Sequence, residues 1–254
     1  MKEMPVLFVG HGSPMNAIEE NTFTKKWVEI AAKLPKPVAI LAISAHWTTN
    51  GSKVTDSQQP KTIYDMYGFP KELYEVVYRP AGSPEYAHLT RDLIGHAQID
   101  NSWGIDHGTW SVLRVMYPEA DIPVFQLSVS QNETRAYHYE VGQKLKALRK
   151  KGVLILGSGN VVHNLGRAHW GMASGYDWAV EFDAYIHDKI SKRAYQDVID
   201  YHKAGKSAAL AFHTTEHFDP LLYVLGASDE TDQLTIFNDA CTLGSLSMTS
   251  YLFE

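Results

Sequence analysis

The chain predicts an α/β fold, a single domain whose mixed, mostly parallel central sheet is flanked by helices on both faces. Three observations carry this. Short apolar runs of strand length recur along the sequence, and segments with apolar residues at three- and four-residue steps lie between several of them. The strand-like runs are apolar at successive rather than alternate positions, the mark of strands buried on both faces. No repeat, low-complexity tract or long Pro/Gly/Ser linker divides the chain, so one domain over residues 1–254 is expected.

In order, the predicted strands are Val6–Val9, Val38–Ser44, Ile122–Val129, Val153–Leu156 and Ala208–Phe212. Helices are predicted from Pro84 to His96 and from Thr109 to Met116. A third, Glu133 to Lys150, places Tyr137, Val141, Leu145 and Leu148 on one face and stops at Gly152 behind a run of positive charge. A fourth, from Asp177 to about His202, carries Trp178, Phe182, Ile186 and Ile190 at four-residue steps. The tail, "QLTIFNDACTLGSLSMTSYLFE", reads as two strands joined by a turn, antiparallel additions to the sheet.

Composition narrows the classes. At 254 residues, 44% hydrophobic and 20% charged, the chain has the balance of a globular protein whose core needs no covalent staple. A formal charge of -6 and a pI near 6.0 argue against a nucleic-acid surface. The opening "MKEMPVLFVGHGSP" has a short apolar core broken by proline and glycine, so it reads as neither signal peptide nor membrane span. A lone cysteine, Cys241, excludes an internal disulfide or a cysteine-based zinc cluster and fits a reducing cytoplasm. Against it stand 12 histidines, and imidazole is both a metal ligand and a proton carrier near neutral pH.

Several of those histidines recur at one topological position. "VLFVGHGSP" ends a strand at His11, "AILAISAHW" at His46 and "GVLILGSGNVVHN" at His163, while "AALAFHTTEHFDP" carries His213 and His217. A single strand-end histidine is ordinarily a hydrogen-bonded structural residue. Recurrence points instead to convergence, because ligands of open α/β sheets bind outside the carboxyl ends of the strands. Gly10 and Gly12 then give the backbone the tight path that brings His11 into a shared metal site. "GHGSP" lacks the lysine and the spacing of a phosphate loop. A further cluster, "NSWGIDHGTW", sets His107 on a loop over the site, placed to donate a hydrogen bond to an oxygen of substrate or of dioxygen.

Imidazoles with a carboxylate and no thiolate suit Zn, Fe(II), Mn or Cu. Glu216 and His217 are adjacent, and on an extended segment neighbours point opposite ways, so one of the two is expected to bind the ion and the other to orient a ligand. Open positions on Fe(II) suit oxygen chemistry and an activated water on zinc suits hydrolysis; composition does not separate them. Tyr64, Tyr67, Phe69 and Trp103 are candidates for an aromatic pocket, though plain core is the commoner use of such residues. His88, His96, His138, His187 and His202 lie in helix-like segments and read as surface or helix-end residues, and His213 has no motif of its own.

"GHGSPMNAIEEN", "ISAHWTT", "YDMYGFPKELYEVVYRPAGSP", "WGIDHGTWSVL", "GSGNVVHNL", "EHFDPLLYVLGA" and "GSLSMTSY", in that order, resemble the 4,5-DOPA extradiol dioxygenase family of class III extradiol ring-cleavage enzymes. The resemblance runs from Val6 to about Tyr251. It implies a single catalytic α/β domain with one non-haem Fe(II) site that opens an L-DOPA-like catechol with O2. By this likeness the metal ligands fall on His11, His46 and His217, with Glu216 a competitor for the third place because related enzymes use a glutamate there. His163 falls on the catalytic acid/base, and becomes a fourth ligand in zinc-bound forms; His107 is expected to touch substrate or oxygen. The competing readings are a zinc-dependent hydrolase on the same histidines and a non-catalytic metal-binding relative.

Overall fold

The computed structural model describes residues 3–254. Its strands are β1 (Val6–Gly10), β2 (Ala39–Thr49), β3 (Lys53–Val54), β4 (Gln98–Ile99), β5 (Val124–Ser130), β6 (Val153–Gly159), β7 (Leu234–Phe237), β8 (Cys241–Thr242), β9 (Leu246–Ser247) and β10 (Ser250–Phe253). The helices are α1 (Thr22–Lys33), α2 (Lys71–Tyr74), α3 (Pro84–Ile94), α4 (His107–Met116), α5 (Arg135–Leu145), α6 (Asp177–Ser191), α7 (Tyr195–Ile199), α8 (Ala208–Ala211) and α9 (Asp219–Ala227).

Eight strands form one sheet in the order β4-β3-β5-β2-β6-β1-β10-β7. At its centre β5, β2, β6 and β1 run parallel, while β10 joins β1, and β3 joins β5, in antiparallel fashion. The mixed, mostly parallel sheet is thus the predicted one; the tail adds β10 and β7 to it in antiparallel fashion, but between them, where a single turn was expected, β8 and β9 pair as a separate two-stranded sheet.

Successive strand side chains enter different cores, which explains the unbroken apolar runs. Val6, Phe8, Leu41, Ile43 and Ile155 face a layer built by α3, α5, α6 and α9. Leu7, Val9, Ile40, Ala42 and Leu154 face the layer of α1, α2 and α4. Helix α1 starts at Asn21, whose side chain accepts from the backbone of Phe23 and Thr24 while Thr24 accepts from Asn21 N in return, a reciprocal cap. Helix α9 is buried along its whole length.

Three predicted elements are corrected. Ala208–Phe212 is not a strand: Ala208–Ala211 is a helical turn, and Phe212 alone makes a bridge, to His163. The helix from Asp177 stops at Ser191, because Arg193 adopts a left-handed φ of 57°, and the chain restarts as α7. The helix of residues 133–150 is α-helical only to Leu145 and tightens into a 3-10 turn over Lys146–Lys151, closed by Gly152 at φ 79°.

Candidate metal centre

Each functional side chain has its own local cause. His11 follows the last residue of β1, and Gly12 turns the chain away at φ 62°, a conformation that costs glycine little. The His11 backbone is fastened on both sides: its N–H donates to Gly159 O at 3.0 Å, and Asn16 Nδ2 donates to His11 O at 2.9 Å. His46 stands on an irregularity in β2. The register with β5 jumps from Ser44↔Ser128 to Thr48↔Val129, so Ala45, His46 and Trp47 have no counterpart on β5. Such a bulge re-aims the side chain it carries.

His217 lies in the turn before α9, not on the extended segment predicted for it. The end of β6 holds this turn, with Asn160 N donating to His217 O at 2.8 Å. His107 is not on the expected loop but is the first residue of α4, two residues before the predicted start, and Asp106 caps that helix, accepting from Thr109 N at 3.2 Å. Asp106 is fully buried and also accepts from Ser44, Trp103 and Gln126. Burial and the nearby Asp65 push its pKa up, against those donors.

His11, His46 and His217 meet. One donor nitrogen from each lies within 4.8 Å of the others, and the ring centroids are 5.1 Å (His11–His46), 5.3 Å (His11–His217) and 4.9 Å (His46–His217) apart. The tautomers follow from their partners. Ser158 Oγ donates its one proton to Gly108 O at 2.6 Å, so it accepts from His11 Nδ1 at 3.0 Å. An Asp65 carboxylate oxygen lies 3.2 Å from His46 Nδ1 and can only accept. His11 therefore carries its proton on Nδ1 and turns a free Nε2 lone pair towards His46 Nε2, 3.3 Å away; a proton on His46 Nδ1, facing Asp65, would leave that second Nε2 free as well. Both ring nitrogens of buried His217 also lack a hydrogen-bond partner among the described residues. Imidazole nitrogens brought this close in a largely buried site fit a divalent cation, which sits about 2.0–2.1 Å from an imidazole nitrogen.

Electrostatics agree. Burial first, and the neighbouring imidazoles second, hold His11 and His217 well below the usual histidine range and bring His46 down to about 3. All three are neutral near pH 7, the form in which imidazole binds metal.

The remaining predicted residues occupy the rim of this group. His163 stacks on His217, and burial lowers its pKa to about 4. Neither His163 nor Glu216 contributes an atom to the three-histidine group; Glu216 Oε1 is 3.5 Å from His217 Nδ1. His107 lies against His46, with ring centroids 3.8 Å apart. A cavity of about 340 Å³ takes in all five histidines together with Tyr67 and Phe69. Tyr64 and Trp103 do not line it: Tyr64 bonds Val76 O at 2.6 Å, and Trp103 bonds Asp106. His138, expected at a surface or helix end, is instead buried between α5 and α9, 2.9 Å from Tyr223 Oη.

Sequence reasoning missed Asp65. Its Oδ1 accepts the backbone N–H of His107 at 2.9 Å, and its Oδ2 faces both His46 Nδ1 and, at 3.0 Å, His107 Nδ1. A lone aspartate between aromatic residues in "YDMYGF" carries no local signal for such a role. Leu165, Trp170, Leu243 and Leu246 were likewise missed as wall residues.

Comparison with known proteins follows the same lines. Residues 5–253 match the family described as the catalytic LigB subunit of aromatic ring-opening dioxygenase. A protein of Escherichia coli K12 named 4,5-DOPA dioxygenase extradiol is 43% identical over 97% of this chain and 93% of its own length. One of the same name from Beta vulgaris is 38% identical over 97% of this chain and 95% of its own. The crystal structure of an uncharacterized protein from Escherichia coli K12 superposes with a TM-score of 0.87 at 40% identity, covering 99% of this chain and 100% of that one. With likeness on that scale over almost every residue, the chain belongs to the LigB family of aromatic ring-opening dioxygenases and is an enzyme of its extradiol type.

Proposed function

We propose that the matched span acts as one catalytic unit, an Fe(II)-dependent dioxygenase that opens the ring of a catechol with O2, and that His11, His46 and His217 hold the metal. The observation that carries this reading is the convergence of His11, His46 and His217, with His11 Nε2 and His46 Nε2 3.3 Å apart and the buried His217 ring, without a hydrogen-bond partner among the described residues, beside them. Bound Fe(II) supplies the one-electron chemistry by which ground-state O2 reacts with a closed-shell ring, chemistry that zinc lacks.

The chain's own groups do the rest. Ser158 accepts the Nδ1 proton of His11, and the Asp65 carboxylate 3.2 Å from His46 Nδ1 favours the proton on that nitrogen, so that Nε2 of both rings is free for the ion. His163 is neutral near pH 7 because burial depresses its pKa, and a free ring nitrogen there takes a proton from a catechol hydroxyl and returns one to the opened product. His107 lines the cavity, with Asp65 Oδ2 3.0 Å from its Nδ1, and is the residue to touch substrate or oxygen. The apolar walls keep bulk water from the reacting ring.

The test is to load metal-free protein with Fe(II) under argon, add a catechol panel and admit air. Expected is a yellow ring-fission product with one O2 consumed per catechol. No product from any catechol, together with ester cleavage supported by zinc, would replace this reading with a hydrolase.

A further inference from the structure

The His46 ring has donors at both ends. Its Nε2 faces His11, and its Nδ1 faces a second group of ligand atoms. His46, Asp65 and His107 each place one such atom within 4.8 Å of the others. Asp65 Oδ2 lies 3.2 Å from His46 Nδ1 and 3.0 Å from His107 Nδ1. Two donors bound to one zinc ion stand about 2.9–3.4 Å apart when the angle at the ion lies between a right angle and the tetrahedral one. The observed spacings therefore suit an ion as well as they suit a hydrogen bond. Hydrogen-bond geometry is not met: Asp65 Oδ2 and His107 Nδ1 are both buried without a hydrogen-bond partner among the described residues.

The carboxylate is already set for such a role. The backbone N–H of His107 donates to Asp65 Oδ1 at 2.9 Å, which leaves Oδ2 turned to the two rings. No lysine or arginine lines the cavity among the described residues, so no fixed cation there answers the charge of Asp65. All three side chains line that cavity, which gives an ion its route in. Two imidazoles and a carboxylate are a set that zinc takes, with water as its fourth ligand.

We propose that His46 Nδ1, Asp65 Oδ2 and His107 Nδ1 form a second zinc site, back to back with the first across the His46 ring, which fills when zinc is in excess and then withholds His107 from the reaction. As it fills, His46 passes its Nδ1 proton to water and bridges the two ions as imidazolate; the oxidation state of zinc is unchanged. The second ion binds more weakly than the first because it displaces a proton and lies one ring away from a like charge. The site stands on its geometry, whereas the inhibition rests on the ring-cleavage reading above.

Zinc is titrated calorimetrically into metal-free protein. Expected are one tight equivalent and a second about tenfold or more weaker, with His107→Phe removing the second and keeping the first. Copper(II) gives an independent signature in the unaltered chain. Two Cu(II) ions joined by an imidazolate couple their spins, so the electron paramagnetic resonance signal per copper should fall as the second equivalent is added. Excess zinc should also lower catechol turnover by the Fe(II)-loaded protein while its iron content stays constant.

A single zinc equivalent would overturn the site, as would a second that His107→Phe leaves undiminished (an adventitious ion only). Uncoupled spectra from two bound Cu(II) ions would overturn it too, and they decide the matter if His107→Phe loses both ions. Should zinc fill the site while no catechol is opened, ring cleavage falls and the second site stands. Filling without loss of turnover would overturn the hold on His107.

Discussion

His163 lies flat on His217, the two ring centroids 3.5 Å apart and the planes 4° from parallel. Stacked rings direct their nitrogens along parallel planes, not at each other, so His163 shares the cavity without joining the three-histidine group. This separates two kinds of loss. His163→Ala should keep its metal and lower kcat by about 10²–10⁴-fold, the usual worth of a positioned acid/base. His11→Ala and His46→Ala should lose the metal itself. Metal analysis after desalting, beside O2-uptake kinetics, distinguishes them; a fall in kcat of under about threefold for His163→Ala contradicts its role.

Asp65 Oδ2 stands between His46 Nδ1 and His107 Nδ1, at 3.2 Å and 3.0 Å. In Asp65→Asn the oxygen can stay on the His107 backbone N–H, but an amide NH2 then meets both rings. His46 would answer by moving its proton to Nε2, the atom needed for the ion. Metal affinity should fall about 10–100-fold, as for other partners of ligating histidines, with the circular-dichroism spectrum unchanged. Competition with a chromophoric chelator measures it. Undiminished affinity means that His46 needs no carboxylate to orient it.

The sheet was legible because burial on both faces leaves unbroken apolar runs, as at Val153–Leu156. The same rule misled at Ala208–Phe212, since a short apolar run fits a buried strand and one buried helical turn equally well. Convergence of His11, His46 and His217 could be anticipated from the sequence even so, with the turn before α9 carrying His217 to the edge where β1 and β6 end. What could not be read was the support around them. Ser158 looks like any small strand residue, Asp65 like any loop acid, and His138 gives no sign that Tyr223 will bury it, because such contacts arise only from long-range packing.

Gly159 marks a point where two backbones nearly touch. A Cβ there would lie 2.0 Å from the carbonyl oxygen of His217, so neither chain can give way cheaply. Gly159→Ala should displace the His217 turn, abolish tight metal binding and lower stability by about 1–3 kcal/mol, the range for forced overpacking. Gly171→Ala is the control, since nothing lies within 4 Å of the added methyl. Metal titration and urea melts of both variants test this; a Gly159→Ala protein with full affinity would show that the turn tolerates displacement.

Removal of the metal should expose a steep acid sensitivity. A histidine with a depressed folded pKa takes up a proton in the unfolded chain before it does so in the folded one. Above the ordinary value of 6.5 neither state is protonated and stability is full. As pH falls below 6.5 only the unfolded chain gains protons, and stability declines until the folded pKa, about 4 for His163, is passed. For His163 alone this amounts to about 3 kcal/mol, and His11, His46 and His217 act with the same sign. Asp183 opposes them, since burial raises its pKa to about 6 and its protonation favours the fold as pH falls. His163→Gln isolates the histidine contribution: between pH 6.5 and 4.5 its urea midpoint should fall less steeply than that of the metal-free parent. Parallel slopes would mean that His163 titrates as it does in water and is not held neutral by burial.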